Sequence, residues 1–155
     1  MAELQTTYSN TIAKGYAGMV ADGETSNRIS RTSEDAAALA FGSPASRGTG
    51  DHGCTGTMTT LANFLGWVIA NAGQGLVSGG TADSYAQYDN VPIITSGAIY
   101  LAVKGAVTDG AALTVGVGGG AADLIGATAA DATHIATGWI ADETVTDGIC
   151  RCVKR

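Results

Sequence analysis

Val91-Pro92-Ile93-Ile94-Thr95-Ser96-Gly97-Ala98-Ile99-Tyr100-Leu101-Ala102-Val103-Lys104 is the stretch on which the fold turns. From Ala98 onward, Ile99, Leu101 and Val103 alternate with Tyr100, Ala102 and Lys104. That period of two gives one apolar face, as a half-buried strand requires. Ser96-Gly97 separates this run from the β-branched run before it. The pair predicts a hairpin turn, because glycine supplies the positive φ of a tight reversal at little steric cost. Pro92 has no N–H to give to a ladder and suits an edge or the start of a strand.

Outward from this stretch the same alternation of apolar runs and turn signals recurs. Strands are predicted at 39–47, 54–59, 63–70, 91–95, 98–104, 112–117, 137–141 and 149–154. Ala72-Gly73-Gln74-Gly75, Ser78-Gly79-Gly80, Asp89-Asn90, Asp109-Gly110, Gly118-Gly119-Gly120 and Asp147-Gly148 stand between them. With Ser96-Gly97, the two Asp-Gly pairs are the best hairpin signals. Strands divided by turns every ~8–12 residues read as an all-β fold, a jelly-roll or Greek-key β-sandwich or barrel. Helix is expected only as a turn or two at 33–40, where Ser33 precedes Glu34-Asp35 and an alanine run, and at 128–136. No repeat of fixed period and no long linker divides the chain, so 155 residues make one domain over 39–155 behind an extended arm over 1–38.

Composition narrows the function classes. Charged residues are 14% of the chain and the formal net charge is −6. Eight scattered Lys and Arg against fourteen acids do not make the basic footprint of a phosphate-binding domain, so nucleic acid is not an expected partner. So low a charge also suggests a surface partly covered by neighbours. The longest apolar stretch, 64–72, is interrupted by Gly66 and falls short of the ~20 residues that span a bilayer. No membrane partner is expected, and no secretory signal is visible. Three cysteines do not make a disulfide framework, which fits synthesis in a reducing cytoplasm.

Four constellations carry chemical possibilities, each with a plainer reading. His52-Gly53-Cys54 and Cys150-Arg151-Cys152 would make a Cys3His zinc set if their strands were neighbours, but the spacing is not that of a zinc knuckle. The plainer expectation is small buried hydrophobes. Gly116-Val117-Gly118-Gly119-Gly120-Ala121, with Asp142 downstream, fits a dinucleotide fingerprint, yet the chain is rich in glycine and offers no βαβ context. Asp131 and His134 have no nucleophile elbow beside them. Glu34 and Asp35 are adjacent and face apart, which suits a solvated face or a helix start. No enzyme activity, no metal and no cofactor are expected.

Residues 1–53 differ from the rest. Tyr8, Ile12, Tyr16, Met19, Val20, Ile29, Leu39 and Phe41 recur there without period, interleaved with Arg28, Arg31 and Arg47. A disordered tail lacks such apolar content, and a long segment without regular structure usually serves function. Tyr8, Ile12, Tyr16, Met19, Arg28, Arg31 and Arg47 are therefore the expected interface residues, since aromatic and Arg side chains anchor interfaces most often.

The same stretch carries a family likeness. Met1-Ala2-Glu3-Leu4-Gln5-Thr6-Thr7-Tyr8, Glu24-Thr25-Ser26-Asn27-Arg28-Ile29-Ser30-Arg31-Thr32, Glu34-Asp35-Ala36-Ala37, Ala40-Phe41-Gly42 and Gly50-Asp51-His52-Gly53 resemble the opening of the tailed-phage structural cement proteins. Val107-Thr108-Asp109-Gly110, Gly138-Trp139 and Lys154-Arg155 extend the likeness along the chain. It implies a decoration protein on the outer surface of an icosahedral head that ties major capsid subunits together. The expected partners are the major capsid protein and further copies of the chain, as homodimer or homotrimer. The alternative is a glycine-rich β-sandwich that binds a host surface or carbohydrate, for which Tyr85, Tyr88, Trp67 and Trp139 are the available aromatics.

Overall fold

The computed structural model describes residues 14–21, 25–59, 61–71, 73, 82–117 and 125–155. Among them the chain is all-β: β1 (Asn27–Ser33), β2 (Leu39–Ala40), β3 (Pro44–Arg47), β4 (Gly53–Thr55), β5 (Phe64–Val68), β6 (Ser84–Tyr85), β7 (Asn90–Val107), β8 (Ala112–Gly116), β9 (Ile125–Gly126), β10 (His134–Ala141) and β11 (Val145–Lys154). A single 3-10 turn, Leu61–Asn63, is the helical content of the described residues. Neither 33–40 nor 128–136 is helical. The side chains of Glu34, Asp35 and Asp131 are taken up by turns instead, as described below.

Nine strands form one sheet in the order β1-β4-β3-β5-β7-β11-β10-β8-β9, and β1 also pairs with β7. The second pairing closes a ring of β1, β4, β3, β5 and the start of β7, a small five-stranded barrel. Only β1 and β4 are parallel in that ring, through Thr32↔Gly53 and Ser33↔Cys54. Beyond the ring, β7 runs on to pair with β11 from Gly97↔Lys154 to Val107↔Val145. Strands β10, β8 and β9 continue from β11, and β9 comes back to lie against β7. β2 and β6 pair separately through Leu39↔Tyr85 and Ala40↔Ser84.

The hairpin expected at Ser96-Gly97 is absent, and 91–95 and 98–104 are parts of one 18-residue strand. Gly97 has φ 124°, and a Cβ there would lie 2.7 Å from the Cβ of Ser26, which crosses over it. The register with β1 shifts at the same place, between Asn27 and Arg28. This bulge reverses the strand's parity. Val91 and Ile93 therefore enter one apolar cluster, while Ile94, Ile99, Leu101 and Val103 enter another. Asp147-Gly148 is likewise a bulge, within β11, where the Asp147 carboxylate accepts from the Gly105 N–H at 3.0 Å. Asp109-Gly110 does form a turn, but β7 and β8 on either side of it do not pair with each other.

The larger cluster gathers Trp67 from β5 and Trp139 from β10, edge to face at 6.2 Å between ring centroids, with Met58, Leu113, Val115, Cys150 and Cys152 around them. The smaller holds Leu39, Phe41, Ala45, Cys54, Val68 and Tyr85. The Tyr85 hydroxyl donates to Ile69 O at 2.8 Å, which satisfies the polar end of a buried ring.

The arm was expected to run to residue 38. Residues 27–33 are instead strand β1, inside the barrel. Earlier still, Gly18 N donates to Tyr100 O at 2.8 Å, Tyr100 N to Met19 O at 2.9 Å and Ala21 N to Ala98 O at 3.0 Å. Residues 18–21 thus form a short strand-like rung on β7, and Val20 packs on the larger cluster. Gly18 and Gly42 meet back to back there, both with positive φ, and a Cβ on Gly18 would stand 2.7 Å from Gly42 N. Apolar residues without period have found strands of their own chain to cover.

Candidate interface surface

Tyr8 and Ile12 lie outside the described residues. Tyr16 and Met19 are exposed at the docked end of that early segment. Gly15 lies so close to the Tyr100 ring that a Cβ would collide with it. Lys14 reaches across to Glu143 at 3.0 Å, and its ammonium also donates to Ile149 O at 3.4 Å. Tyr16, Met19 and the half-buried Tyr100 thus gather over the middle of β7, held at one end by an ion pair.

The arginines stand elsewhere. Arg28 on β1 is exposed and donates from Nε to Ser26 Oγ at 2.9 Å. Arg31, half-buried on the same strand, approaches His52 Nδ1 at 3.3 Å. Arg47 is exposed at the end of β3 and is paired in register with Cys54. The seven expected interface residues therefore do not form one cluster. The described ones divide into an apolar group over β7 and a basic group on the barrel.

Glu34 and Asp35 explain how the basic group is positioned. The Glu34 carboxylate accepts from Thr49 N at 2.8 Å, Thr49 Oγ1 at 2.9 Å and Gly50 N at 2.8 Å. The backbone N–H of Thr49, then that of Gly50 and the Thr49 hydroxyl, hold its pKa below the ordinary carboxylate value. A Cβ at Gly53 would collide with this carboxylate, so the β3–β4 turn needs glycine where it wraps the acid. Asp35 accepts from Thr55 Oγ1 and from Gly56 N, both at 2.6 Å. Two adjacent acids facing apart thus staple the two ends of β4. One of the stapled turns carries His52 to Arg31. This is a structural use of carboxylates that the expected helix start did not anticipate.

The other constellations come apart in space. Cys54 lies in the smaller cluster and Cys150 and Cys152 in the larger, and β3, β5 and β7 stand between β4 and β11. All three thiols are buried and free. Burial, then the nearby Asp35 and Glu34, pushes the Cys54 thiol up to about 11. Among the described residues no group of three or more His, Cys, Asp or Glu stands as a metal site. Part of the glycine fingerprint, 118–121, lies outside the described residues, and β8 before it pairs antiparallel with β9 and β10. Asp131 closes a turn, accepting from Thr133 N and Oγ1 at 2.7 Å and from His134 N at 2.8 Å. The Thr133 hydroxyl and N–H and the His134 ring together take its pKa down to about 2.

Of the aromatics, Trp67, Trp139 and Tyr85 are core, whereas Tyr88 is 76% exposed. Nothing in the pattern around Tyr88 sets it apart beyond the neighbouring Asp89-Asn90 turn signal.

This is an all-β structural scaffold with separate apolar and basic exposed groups on a pinned framework. Residues 4–152 match the family model described as structural cement protein (E217 gp24/Pam3 gp6). With that coverage the chain belongs to the phage structural cement family, and so to the structural proteins that associate with capsid proteins in the virion. No curated protein matches the chain.

Proposed function

We propose that this protein decorates the outer surface of a phage head, where it bridges major capsid subunits and stabilises the shell against the outward pressure of packed DNA. The family match over nearly the whole chain carries this reading. A footprint spanning two or more subunits exists only on the assembled, expanded lattice. Binding there favours that state by linkage, since a ligand stabilises whichever state it binds. Further copies of the chain, as homodimer or homotrimer, would engage several such sites at once and turn modest contacts into tight retention. Tyr8, Ile12, Tyr16 and Met19 then contact the shell together, with Arg28, Arg31 and Arg47 supplying charge-assisted bonds.

The docking of residues 18–21 decides where to cut. Removing 1–13 leaves every described strand in place, whereas removing 1–26 also strips Val20 from the larger cluster. Heads lacking the protein should release DNA at a lower temperature, and adding back the full chain should restore it. The 1–13 deletion should keep the melting temperature of the isolated protein but lose most of its retention on heads. Equal retention of both forms at matched salt would mean that the body alone does the cementing.

A further inference from the structure

Tyr88 combines strain with exposure. Its φ is 70°, outside the range that bulky residues ordinarily adopt. It is the third residue of a four-residue turn, in which Asp89 N donates to Ala86 O at 3.2 Å and Ala86 N donates to Asp89 Oδ2 at 2.8 Å. Positive φ at that place makes a type II turn, and glycine is the residue that suits it. The surroundings hold Tyr88 there firmly. Tyr88 N donates to Ser33 O at 2.8 Å, Ser33 N to Asp89 O at 2.9 Å and Gln87 Nε2 to Glu34 O at 3.0 Å. Yet the ring stands in solvent and gives the core nothing.

Strained backbone held by over-determined surroundings clusters at functional sites. The neighbours point to a class of partner. β1 lies between β7 and β4, so the Tyr88 turn flanks one side of its end and the Arg31–His52 corner the other. Arg47, in register with Cys54 and exposed, stands at the same end of the barrel, so two arginines and His52 lie near the turn, whereas Arg28 stands at the far end of β1. A projecting tyrosine beside arginine is the usual anchor of a protein interface, apolar in its body and polar at its tip.

We propose that the Tyr88 turn and the Arg31–His52 corner form a capsid-binding contact of the body, distinct from the early segment. The ring enters an apolar slot on a capsid subunit, and the basic group meets carboxylates at the rim of that slot. This rests on the cement reading above. The tyrosine is retained against the preference of its own turn because the partner needs the ring.

Tyr88→Gly separates the two demands. Its melting temperature should equal or exceed that of the wild type, while its retention on heads stripped of the protein should fall about tenfold or more, as for an interface hot spot. Arg31→Gln should weaken retention less and flatten its salt dependence. Ile140→Ser, at another exposed apolar position on β10, should leave retention unchanged. Wild-type binding with equal retention of Tyr88→Gly would overturn this contact and leave the cement reading standing. A lower melting temperature for Tyr88→Gly would also overturn it, by showing that the ring serves the fold. Failure of the wild type itself to bind heads would overturn both. Tyr88-dependent binding to a glycan array, with head retention intact, would assign the turn to carbohydrate instead.

Discussion

Around the first part of β7 the chain closes a ring of five strands by backbone pairing and pins its turns with Glu34 and Asp35. Around the second part, no ladder joins β9 to β7 among the described residues, and the sheet curls over the larger apolar cluster instead. Among the described residues that cluster has sixteen buried members, with Trp67 and Ile94 lent by the ring strands, and the other has eight, so burial should dominate in one half and polar stapling in the other. Two kinds of glue in one small protein teach that stability and display are served by different residues. The stapled half presents Tyr88, Arg31 and His52, while the apolar half supplies the mass of the core.

The largest expected effect is on the apolar half. Trp139→Ala should cost about 4 kcal/mol, the range for deleting a fully buried aromatic, read as a drop in the urea midpoint. Because β7 belongs to both halves, the loss should appear as one cooperative transition. Two resolved transitions would break the comparison, since each half would then hold itself together.

A smaller, pH-dependent effect is expected in the stapled half. The Glu34 carboxyl is held below its ordinary value of 4.5, so its contribution is present above that value and is lost as pH falls below it. Glu34→Gln should destabilise the protein at pH 7 and converge with the wild type in strong acid. Urea midpoints measured down the acid limb check this, and a constant gap would show that the turn needs the shape of the side chain and not its charge.

The smallest effect concerns the thiols. Cys54, Cys150 and Cys152 are all buried, and although a hydrogen bond with Cys152 lowers the Cys150 thiol, burial should leave all three unlabelled by an aromatic disulfide reagent at pH 8 without denaturant. In the Trp139→Ala variant labelling should speed up for all three together if the halves open as one. Faster labelling of Cys150 and Cys152 alone would sharpen the comparison into two separately opening units.

The all-β character was readable because Ile99, Leu101 and Val103 alternate cleanly, and all three are buried. The connections were not readable. Ser96-Gly97 and Asp147-Gly148 carry the same letters as hairpin turns but serve as bulges, because positive φ is equally useful for bending a long strand as for reversing it. What decides between the two is a distant neighbour, such as Ser26 over Gly97 or the Gly105 N–H beside Asp147, and spacing along the chain carries no trace of it. β1 escaped notice because its exposed positions Arg28, Ser30 and Thr32 are polar and the half-buried ones between them include Arg31. Arg28, Arg31, Tyr16 and Met19 were named from composition, but their division into two groups depends on pairing partners far along the chain. Tyr88 was legible only as an aromatic, since its strain is a property of backbone geometry.

The rung formed by residues 18–21 on β7 has a mechanical meaning. Its hydrogen bonds lie across the strand axis, so a pull along that axis loads them together in shear, whereas a pull away from the sheet peels them one at a time. Tension entering through the early segment passes first to Tyr100 and Ala98 and then along a strand that runs through both halves. A molecule pulled along that axis would thus share the load between its two cores, and one peeled away from the sheet would let go at Gly18.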